Sequence, residues 1–330
     1  MTLLIATPGP LLPEDGHAQA TAPPPLPALD SLLAAARRLD NAPDWRAGVL
    51  QALQAADASL PAIALVARGL PELASGTPLC LVTALHVVPG MSRVHLPADG
   101  ILALDAVERE AWRDAFNREF GADQLLLHAV PGGWVMQAAC AAAARDADPH
   151  TLLGQPLARS AAAGEAERNL RRLGAEVEMW LAAHPLNAMR EARRQPPLNC
   201  LWFSGGGHAL ALPTFGSLPG VVLSPSGPDP WVAGLALHCG VPCVTAGVDW
   251  PLAQSAPDAL VIAATAAALD ARDQWQALEA RWFEPAWHAW RAGAIRALRL
   301  QIGRSAWQLP SRSPLRWLRR RRAWWQAVQS

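Results

Sequence analysis

The clearest pattern along the chain is an apolar stripe at helical spacing that begins after Glu165. Its members are Leu170, Leu173, Val177, Trp180 and Leu181. Because they recur every three or four residues, the pattern predicts an amphipathic helix with one apolar face. His184 continues that face. Pro185 limits the helix, because proline disfavours helical backbone in the residue before it.

Short apolar runs after this helix predict strands at 198–203, 220–224, 241–246 and 259–263. A helix is predicted between the second and third strands, with Asp229 as its N-cap. Pro230 takes the first helical position, where a missing N–H costs nothing. Short apolar strands that alternate with helices predict an α/β fold with a largely parallel sheet.

The rest of the chain predicts a mixture of elements. Helices are expected at 31–39, 44–55 and 106–120, a strand at 79–88, and a hairpin at 124–136. Residues 270–300 suggest two helices hinged at Glu284 and Pro285. Ile295 and Leu298 are apolar positions available to the second of these helices.

These patterns suggest three consecutive segments. Residues 1–30 are expected to form an N-terminal strand and a linker, because proline crowds positions 23–27. Residues 31–270 are expected to form the α/β domain. Residues 271–330 are expected to form a helical segment rich in tryptophan and arginine.

Composition points to a protein of the cytoplasm. Among the 330 residues no apolar run approaches the roughly 18 needed to span a membrane. The first residues lack the basic start and long apolar stretch of a secretory signal. The five cysteines are sparse and odd in number, which favours reduced thiols over a disulfide framework.

The charge is strongly asymmetric although the net charge is zero. Residues 281–330 contain eleven of the 28 basic residues but only one of the 28 acidic residues, Glu284. The densest basic cluster consists of Arg316, Arg319, Arg320, Arg321 and Arg322. Such a tail suits an acidic protein or a membrane surface. The other interpretation is that it docks on the protein's own acidic body. Nucleic acid is not an expected partner.

The candidate chemistry lies in four polar residues around one turn. His184, Asn187 and Arg190 are three residues apart, so a helical turn brings them together, and Asn199 follows the next loop. This group suits a small phosphorylated or carboxylate metabolite, because arginine can clamp such an anion with two hydrogen bonds. In the other interpretation His184 and Asn187 cap the helix and the loop, and Arg190 pairs with Glu191 or a neighbour.

A polar and glycine-rich run follows the predicted strand at 198–203. Ser204, Gly205, Gly206 and Gly207 can offer backbone amides to the same anion. The alternative is a flexible turn, because no helix start follows as a phosphate cradle usually requires.

Other chemistry is not indicated by the sequence. His238, Cys239 and Cys243 are too few for a structural zinc site, which normally needs four ligands. We therefore expect no metal ligands and assign no catalytic residues.

The segment HPLNAMREARRQPPLNCLWFSGGG resembles the signature of archaeal-type, cofactor-independent phosphoglycerate mutases. The later DPWVAGLALHCGVPCVTAG is similar to a helix and strand of that family. Residues 80–330 more broadly resemble a proteobacterial group often labelled regulatory protein RpfE. The resemblance implies the fold of the alkaline-phosphatase superfamily, a three-layer α/β/α sandwich. It also implies two divalent metals and a phosphorylated serine.

The chain departs from the mutase pattern where the metal ligands belong. The first strand, LLIATPGPLL, has no carboxylate before Glu14, and His288 is the only histidine after His238. The first hypothesis is therefore a non-catalytic, mutase-like regulatory or ligand-sensing protein that needs no cofactor. The alternatives are an active phosphotransferase or mutase that uses Mn or Zn, and an interaction protein that acts through its basic tail.

Overall fold

The structure is a computed structural model. It describes residues 2–9, 23–57, 60–73, 76–90, 93–157, 164–210, 212–225, 227–245, 258–263, 271–309 and 323–329. The strands are β1 Thr2–Thr7, β2 Arg37–Arg38, β3 Leu79–Leu85, β4 Val88–Pro89, β5 Val94–His95, β6 Leu126–Val130, β7 Gly133–Gln137, β8 Cys200–Gly207, β9 Val221–Leu223, β10 Cys243–Val244, β11 Ala259–Ile262, β12 Ala297–Ile302 and β13 Ser305–Leu309. The α-helices are α1 Pro27–Ala35, α2 Trp45–Ala52, α3 Ala62–Val66, α4 Ala106–Phe120, α5 Glu165–Ala182, α6 Pro185–Ala192, α7 Pro230–Cys239, α8 Ala271–Leu278, α9 Glu284–Arg291 and α10 Trp324–Gln329.

The chain forms two compact units that are not consecutive in sequence. Unit 1 comprises Met1–Leu60, Pro213–Gly227 and Ala236–Ser330, and unit 2 comprises Pro61–Leu212 and Pro228–Leu235. Both chain ends belong to unit 1, because β1 pairs in parallel with β11 on one side and β12 on the other. The predicted division at residues 30 and 270 follows composition, whereas the units follow strand pairing.

Unit 1 is built on a seven-stranded sheet in the order β10-β9-β11-β1-β12-β13-β2. The first five strands run parallel, and β13 and β2 add antiparallel partners at one edge. Leu3, Ile5 and Leu300 line one face of this sheet and belong to a core that includes Trp282 and Phe283. The prediction of an α/β fold with a largely parallel sheet is confirmed.

The C-terminal segment differs from the predicted helices. Leu298, expected in a helix, lies in β12, and β12 and β13 form a hairpin. Helix α9 ends before Gly293, which adopts a left-handed φ of 76°. The residues after it alternate between the two faces of a strand because β1 offers them a pairing edge. The purely helical prediction for 271–330 was therefore wrong.

The last described helix packs inside unit 1. Trp324 is fully buried, and its Nε1 donates to the carbonyl oxygen of Pro24 at 2.9 Å. Its backbone N–H donates to Asp30 Oδ1 at 2.7 Å, and its ring lies 4.1 Å from that of Trp275. The end of the chain is thus anchored to the segment around α1. The basic cluster Arg316 and Arg319–Arg322 lies outside the described residues.

Unit 2 contains an antiparallel sheet in the order β6-β7-β3-β8. Its core includes Val82 and Trp134 from the sheet, Phe116 from α4, and Val177 and Leu181 from α5. Helix α4 occupies the predicted range and is capped by Asp105, whose carboxylate accepts the N–H of Glu108. In the described part of the chain, no helix is long and apolar enough to cross a membrane.

Candidate functional site

Asn187 joins the end of α5 to the loop before β8. Its Nδ2 amide donates to the carbonyl oxygens of Leu181 and Leu198, both at 2.8 Å, and its Oδ1 accepts the N–H of Leu198 at 2.8 Å. These bonds use both amide hydrogens. Asn187 is only 5% exposed. Its hydrogen bonds therefore fix the loop before β8 against the end of α5 in a buried position.

Arg190 fixes the same loop from the next turn of α6. Its Nε donates to the carbonyl oxygen of Pro196 at 2.7 Å, and its Nη1 forms an ion pair with Glu108 of α4. The guanidinium is almost completely buried. A buried charge is tolerated only when it is paired. Glu108 supplies the negative charge that the buried guanidinium of Arg190 needs, so no bound anion is required for this purpose.

Asn199 ties the loop to the end of β3. Its Oδ1 accepts the N–H of Val87, and its Nδ2 donates to the carbonyl oxygen of Val87, both at 2.8 Å. His86 adds a contact between its Nδ1 and the carbonyl oxygen of Pro197 at 2.9 Å. Two side chains thus satisfy backbone groups at the place where regular pairing between β3 and β8 ends.

His184 caps α6 and lies between two tryptophans. Its Nδ1 accepts the N–H of Leu186 at 3.2 Å, and its ring centre lies 4.8 Å from that of Trp112 and 4.7 Å from that of Trp180. Burial, followed by the nearby charge of Arg118, lowers the pKa of His184 below its ordinary value. The ring is therefore neutral at pH 7, and its proton resides on Nε2.

The glycines of β8 serve close packing. Gly206 donates its N–H to the carbonyl oxygen of Ala144 at 2.9 Å. A β-carbon at Gly206 would clash with the carbonyl oxygen of Ala141, and one at Gly205 would meet Ala62 of α3. Gly205 also has a left-handed φ of 61°, so glycine is required there by conformation and space.

We expect Gly206→Ala to lower the free energy of unfolding by about 1–3 kcal/mol, because overpacking forces the 139–147 segment to move. Urea unfolding measures this effect. Gly69→Ala is a control, because nothing lies within 4 Å of a β-carbon at that position. Equal stability of Gly206→Ala and wild type would show that the glycine is not required for packing.

The structure brings only part of the predicted site together. His184, Asn187, Arg190 and Asn199 surround the loop of residues 193–199, as their spacing suggests. Gly206 lies seven residues beyond Asn199, which is about 20 Å along an extended strand. The glycine amides therefore do not join the loop. The alternative interpretation, in which these polar residues cap and pair, describes the observed contacts. Their role as anion ligands stays a prediction.

The sequence did not reveal the partners of these residues. Glu108 precedes Arg190 by 82 positions, and no spacing pattern connects the two. The contact between the rings of Trp112 and His184 depends on how α4 meets α5. The sequence did indicate one partner of His184. Trp180 precedes it by one helical turn on the same apolar face, and their rings are in contact.

His238 contacts a backbone carbonyl oxygen and an aromatic ring, and Cys239 is buried. In unit 1, His238 Nε2 lies 3.0 Å from the carbonyl oxygen of Pro213, and its ring packs on Phe215. Cys239 is buried, and burial raises the pKa of its thiol to about 11. All five cysteines are free, and their reduced state in the cell stays a prediction.

The described residues do not fit a two-metal centre. Across the ranges that the structure covers, no three His, Cys, Asp or Glu side chains form a group able to hold a metal ion. At the carboxyl ends of the parallel strands, β1 ends in Thr7 and β9 is followed by Ser224. Ser224 donates its hydroxyl to the carbonyl oxygen of Gly227 at 2.6 Å. These groups provide hydroxyls but none of the anionic or imidazole donors that such a centre requires.

No family model and no curated protein sequence matches this chain. Two solved structures show distant similarity. The PH0037 protein from Pyrococcus horikoshii shares 12% identity over 94% of this chain and 87% of its own, with a TM-score of 0.43. A cofactor-independent phosphoglycerate mutase from Thermoplasma acidophilum shares 16% identity over 94% and 89%, with a TM-score of 0.34. Similarity at this level carries no argument about activity.

Proposed function

We propose that this chain is a non-catalytic, phosphoglycerate-mutase-like regulatory protein that binds a small phosphorylated or carboxylate metabolite at the surface around His184. The proposed scaffold is a degenerate three-layer relative of the alkaline-phosphatase superfamily. The main support for the proposal is the hydrogen bonding of the four polar residues. Asn187, Arg190 and Asn199 use their side chains to stabilise a loop. The Nε2–H of His184 is therefore the donor available to a ligand.

The environment of His184 favours an anionic ligand. Its Nδ1 is occupied by the N–H of Leu186, so the donor at Nε2 is fixed in place. Trp112 and Trp180 hold the ring, and the charge of Arg118 acts on it more strongly than the opposite charge of Glu119. An anion that accepts the Nε2–H gains a charge-assisted hydrogen bond without displacing any described contact.

The same contacts support a non-catalytic role. The guanidinium of Arg190, which a phosphoryl-transfer site would use on substrate, is neutralised by Glu108. The described residues also supply no donor set for two metals. The enzyme alternative predicts bound metal and catalytic turnover, whereas the non-catalytic proposal predicts neither. Metal content and turnover can both be measured directly.

Binding can be tested with 3-phosphoglycerate and the variant His184→Asn. Asparagine is a good N-cap, so this change keeps the cap of α6 while it removes the Nε2–H. We expect the Kd measured by calorimetry to rise about tenfold or more, because a hydrogen bond to a charged group contributes about 1.5–3 kcal/mol. Arg168→Gln, an exposed change on α5, should leave the Kd unchanged. No binding by wild type, or equal affinity in His184→Asn, would refute the site.

The non-catalytic assignment has its own test, which does not depend on this binding site. Purified protein is assayed for bound metal and for mutase and phosphatase turnover after incubation with Mn or Zn. We expect no stoichiometric metal and no turnover above buffer. Two metal ions per chain together with turnover would establish the enzyme alternative.

A further inference from the structure

Three side chains form a row on one face of the unit 1 sheet. Arg299 of β12 pairs with Gln308 of β13, and Gln308 pairs with Arg37 of β2, all in antiparallel register. Directly opposed residues in antiparallel strands place their side chains on the same face. The two arginines therefore flank the glutamine, with their Cα atoms about 10 Å apart across two strand spacings.

The inner end of this row is a half-buried cation, and no residue that the structure describes is its counterion. Arg299 Nε is buried and has no hydrogen-bond partner among these residues, and their one polar contact with the guanidinium is a long one, 3.4 Å from Nη2 to the carbonyl oxygen of Gly48. Burial lowers the pKa of Arg299 below its ordinary value. Taking a charge out of water without a partner is costly, so an anion at this position would stabilise the protein.

Arg37 and Gln308, the other two members of the row, are exposed. Within the ranges that the structure covers, the side chains of Arg37 and Gln308 make no hydrogen bond or ion pair, and no carboxylate pairs with Arg299. Two guanidinium groups and an amide in one cross-strand row thus offer donors and only one carbonyl acceptor. This composition matches a phosphate group, which accepts several hydrogen bonds and pairs with arginine in a bidentate manner.

We propose that Arg37, Gln308 and Arg299 form a phosphate-binding site on the face of the unit 1 sheet. The ligand is a phosphate group, either free or carried by a small metabolite. The phosphate bridges the two guanidinium groups above Gln308, and the amide nitrogen of Gln308 donates to it. This site goes beyond the proposed function, because it lies in the other unit and does not depend on His184.

A purely structural interpretation of the same row makes a different prediction. Charged residues on edge strands prevent a sheet from pairing with another sheet, and β2 is an edge strand. Arg37 would then act only through repulsion and would bind nothing. A substitution at Gln308, the central position, separates the two interpretations. A carboxylate there would pair with the arginines on either side and would repel a phosphate from the site.

The test measures binding of inorganic phosphate and of glycerol 1-phosphate by calorimetry, with chloride used to match ionic strength. The variants are Gln308→Glu and Arg37→Gln. We expect Arg37→Gln to weaken phosphate binding about tenfold or more. We expect Gln308→Glu to abolish binding while it raises the Tm by about 2 °C through new ion pairs. Tighter binding of glycerol 1-phosphate than of phosphate would identify a metabolite as the source, and the reverse would identify the free ion.

Arg296→Gln is the matched control. It removes one exposed arginine of the same unit that lies outside the row. We expect it to leave the phosphate affinity unchanged. An equal loss in Arg296→Gln and Arg37→Gln would show that only net charge matters, and the proposal would fail. It would also fail if wild type bound neither probe, or if Gln308→Glu bound phosphate as tightly as wild type.

Discussion

Arg190→Ala is expected to lower the free energy of unfolding by about 3–5 kcal/mol. The change leaves the carboxylate of Glu108 in a largely buried position without its partner, which is the costly case for a buried ion pair. It also removes the donor that satisfies the carbonyl oxygen of Pro196. Urea unfolding followed by circular dichroism would measure this loss.

A double-mutant cycle separates the ion pair from the loop contact. Glu108→Ala with Arg190→Ala should lose less stability than the sum of the two single changes, because the paired charges disappear together. Arg193→Ala, at an exposed position of the same loop, serves as the control and should change stability by less than about 0.5 kcal/mol. A small loss in Arg190→Ala with loss of 3-phosphoglycerate binding would instead support the anion clamp suggested by the sequence.

Glu279→Ala is expected to cost about 2–4 kcal/mol in unit 1. Glu279 lies in the π-helical turn Glu279–Phe283, and its carboxylate accepts the N–H groups of Ala28 and Leu29 at 2.5 and 3.1 Å. These amides belong to the first turn of α1, which has no side-chain cap of its own. Alanine would leave two buried donors unsatisfied, each at about 1–3 kcal/mol. Thermal or urea unfolding would show the loss.

The pH dependence of the free energy of unfolding gives an independent check on the role of Glu279. Burial is the main cause that raises the pKa of Glu279 above 4.5, and the hydrogen bonds from Ala28 and Leu29 oppose it. A raised folded-state pKa means that the folded protein binds the proton more tightly. The resulting stabilisation is present below pH 4.5 and is lost as the pH rises through the folded pKa.

Glu279→Gln removes this titration and keeps one acceptor. We therefore expect the stability difference between wild type and Glu279→Gln to shift in favour of wild type as the pH falls towards 4.5. Asp40→Asn, at an exposed position of the same unit, is the control, because Asp40 is not among the charges that act on Glu279. A difference that stays constant with pH, or that shifts the other way, would contradict the assignment of the titrating group to Glu279.

Local patterns in the sequence predicted the elements that have strong internal signals. Helix α4 occupies the predicted residues 106–120, and α5 begins at Glu165 and ends before Pro185. In both cases the apolar spacing lies within the helix, and the N-cap or the proline that limits the helix lies within a few residues of its end. The hairpin of β6 and β7 was similarly visible, because glycine and proline mark its turn.

The roles of the polar residues depended on distant partners. The sequence brought His184, Asn187, Arg190 and Asn199 to one turn, and the structure agrees with that placement. It could not show that Leu198, Pro196 and Val87 would take their hydrogen bonds, or that Glu108 would neutralise the arginine. A residue that can bind an anion can equally satisfy backbone groups, and only the neighbouring atoms decide between the two.

The sequence by itself thus determined the fold class, the helices with clear periodicity and the residues of the candidate turn. The tertiary structure alone decided that Leu298 belongs to a strand, because pairing with β1 overrides a local pattern that also suits a helix. It alone paired β1, the first strand, with β12, and it alone placed Arg37 and Arg299 in one row. Sheets form between segments far apart in the chain, so their registers, and the sites built across them, are set by contacts that no local pattern contains.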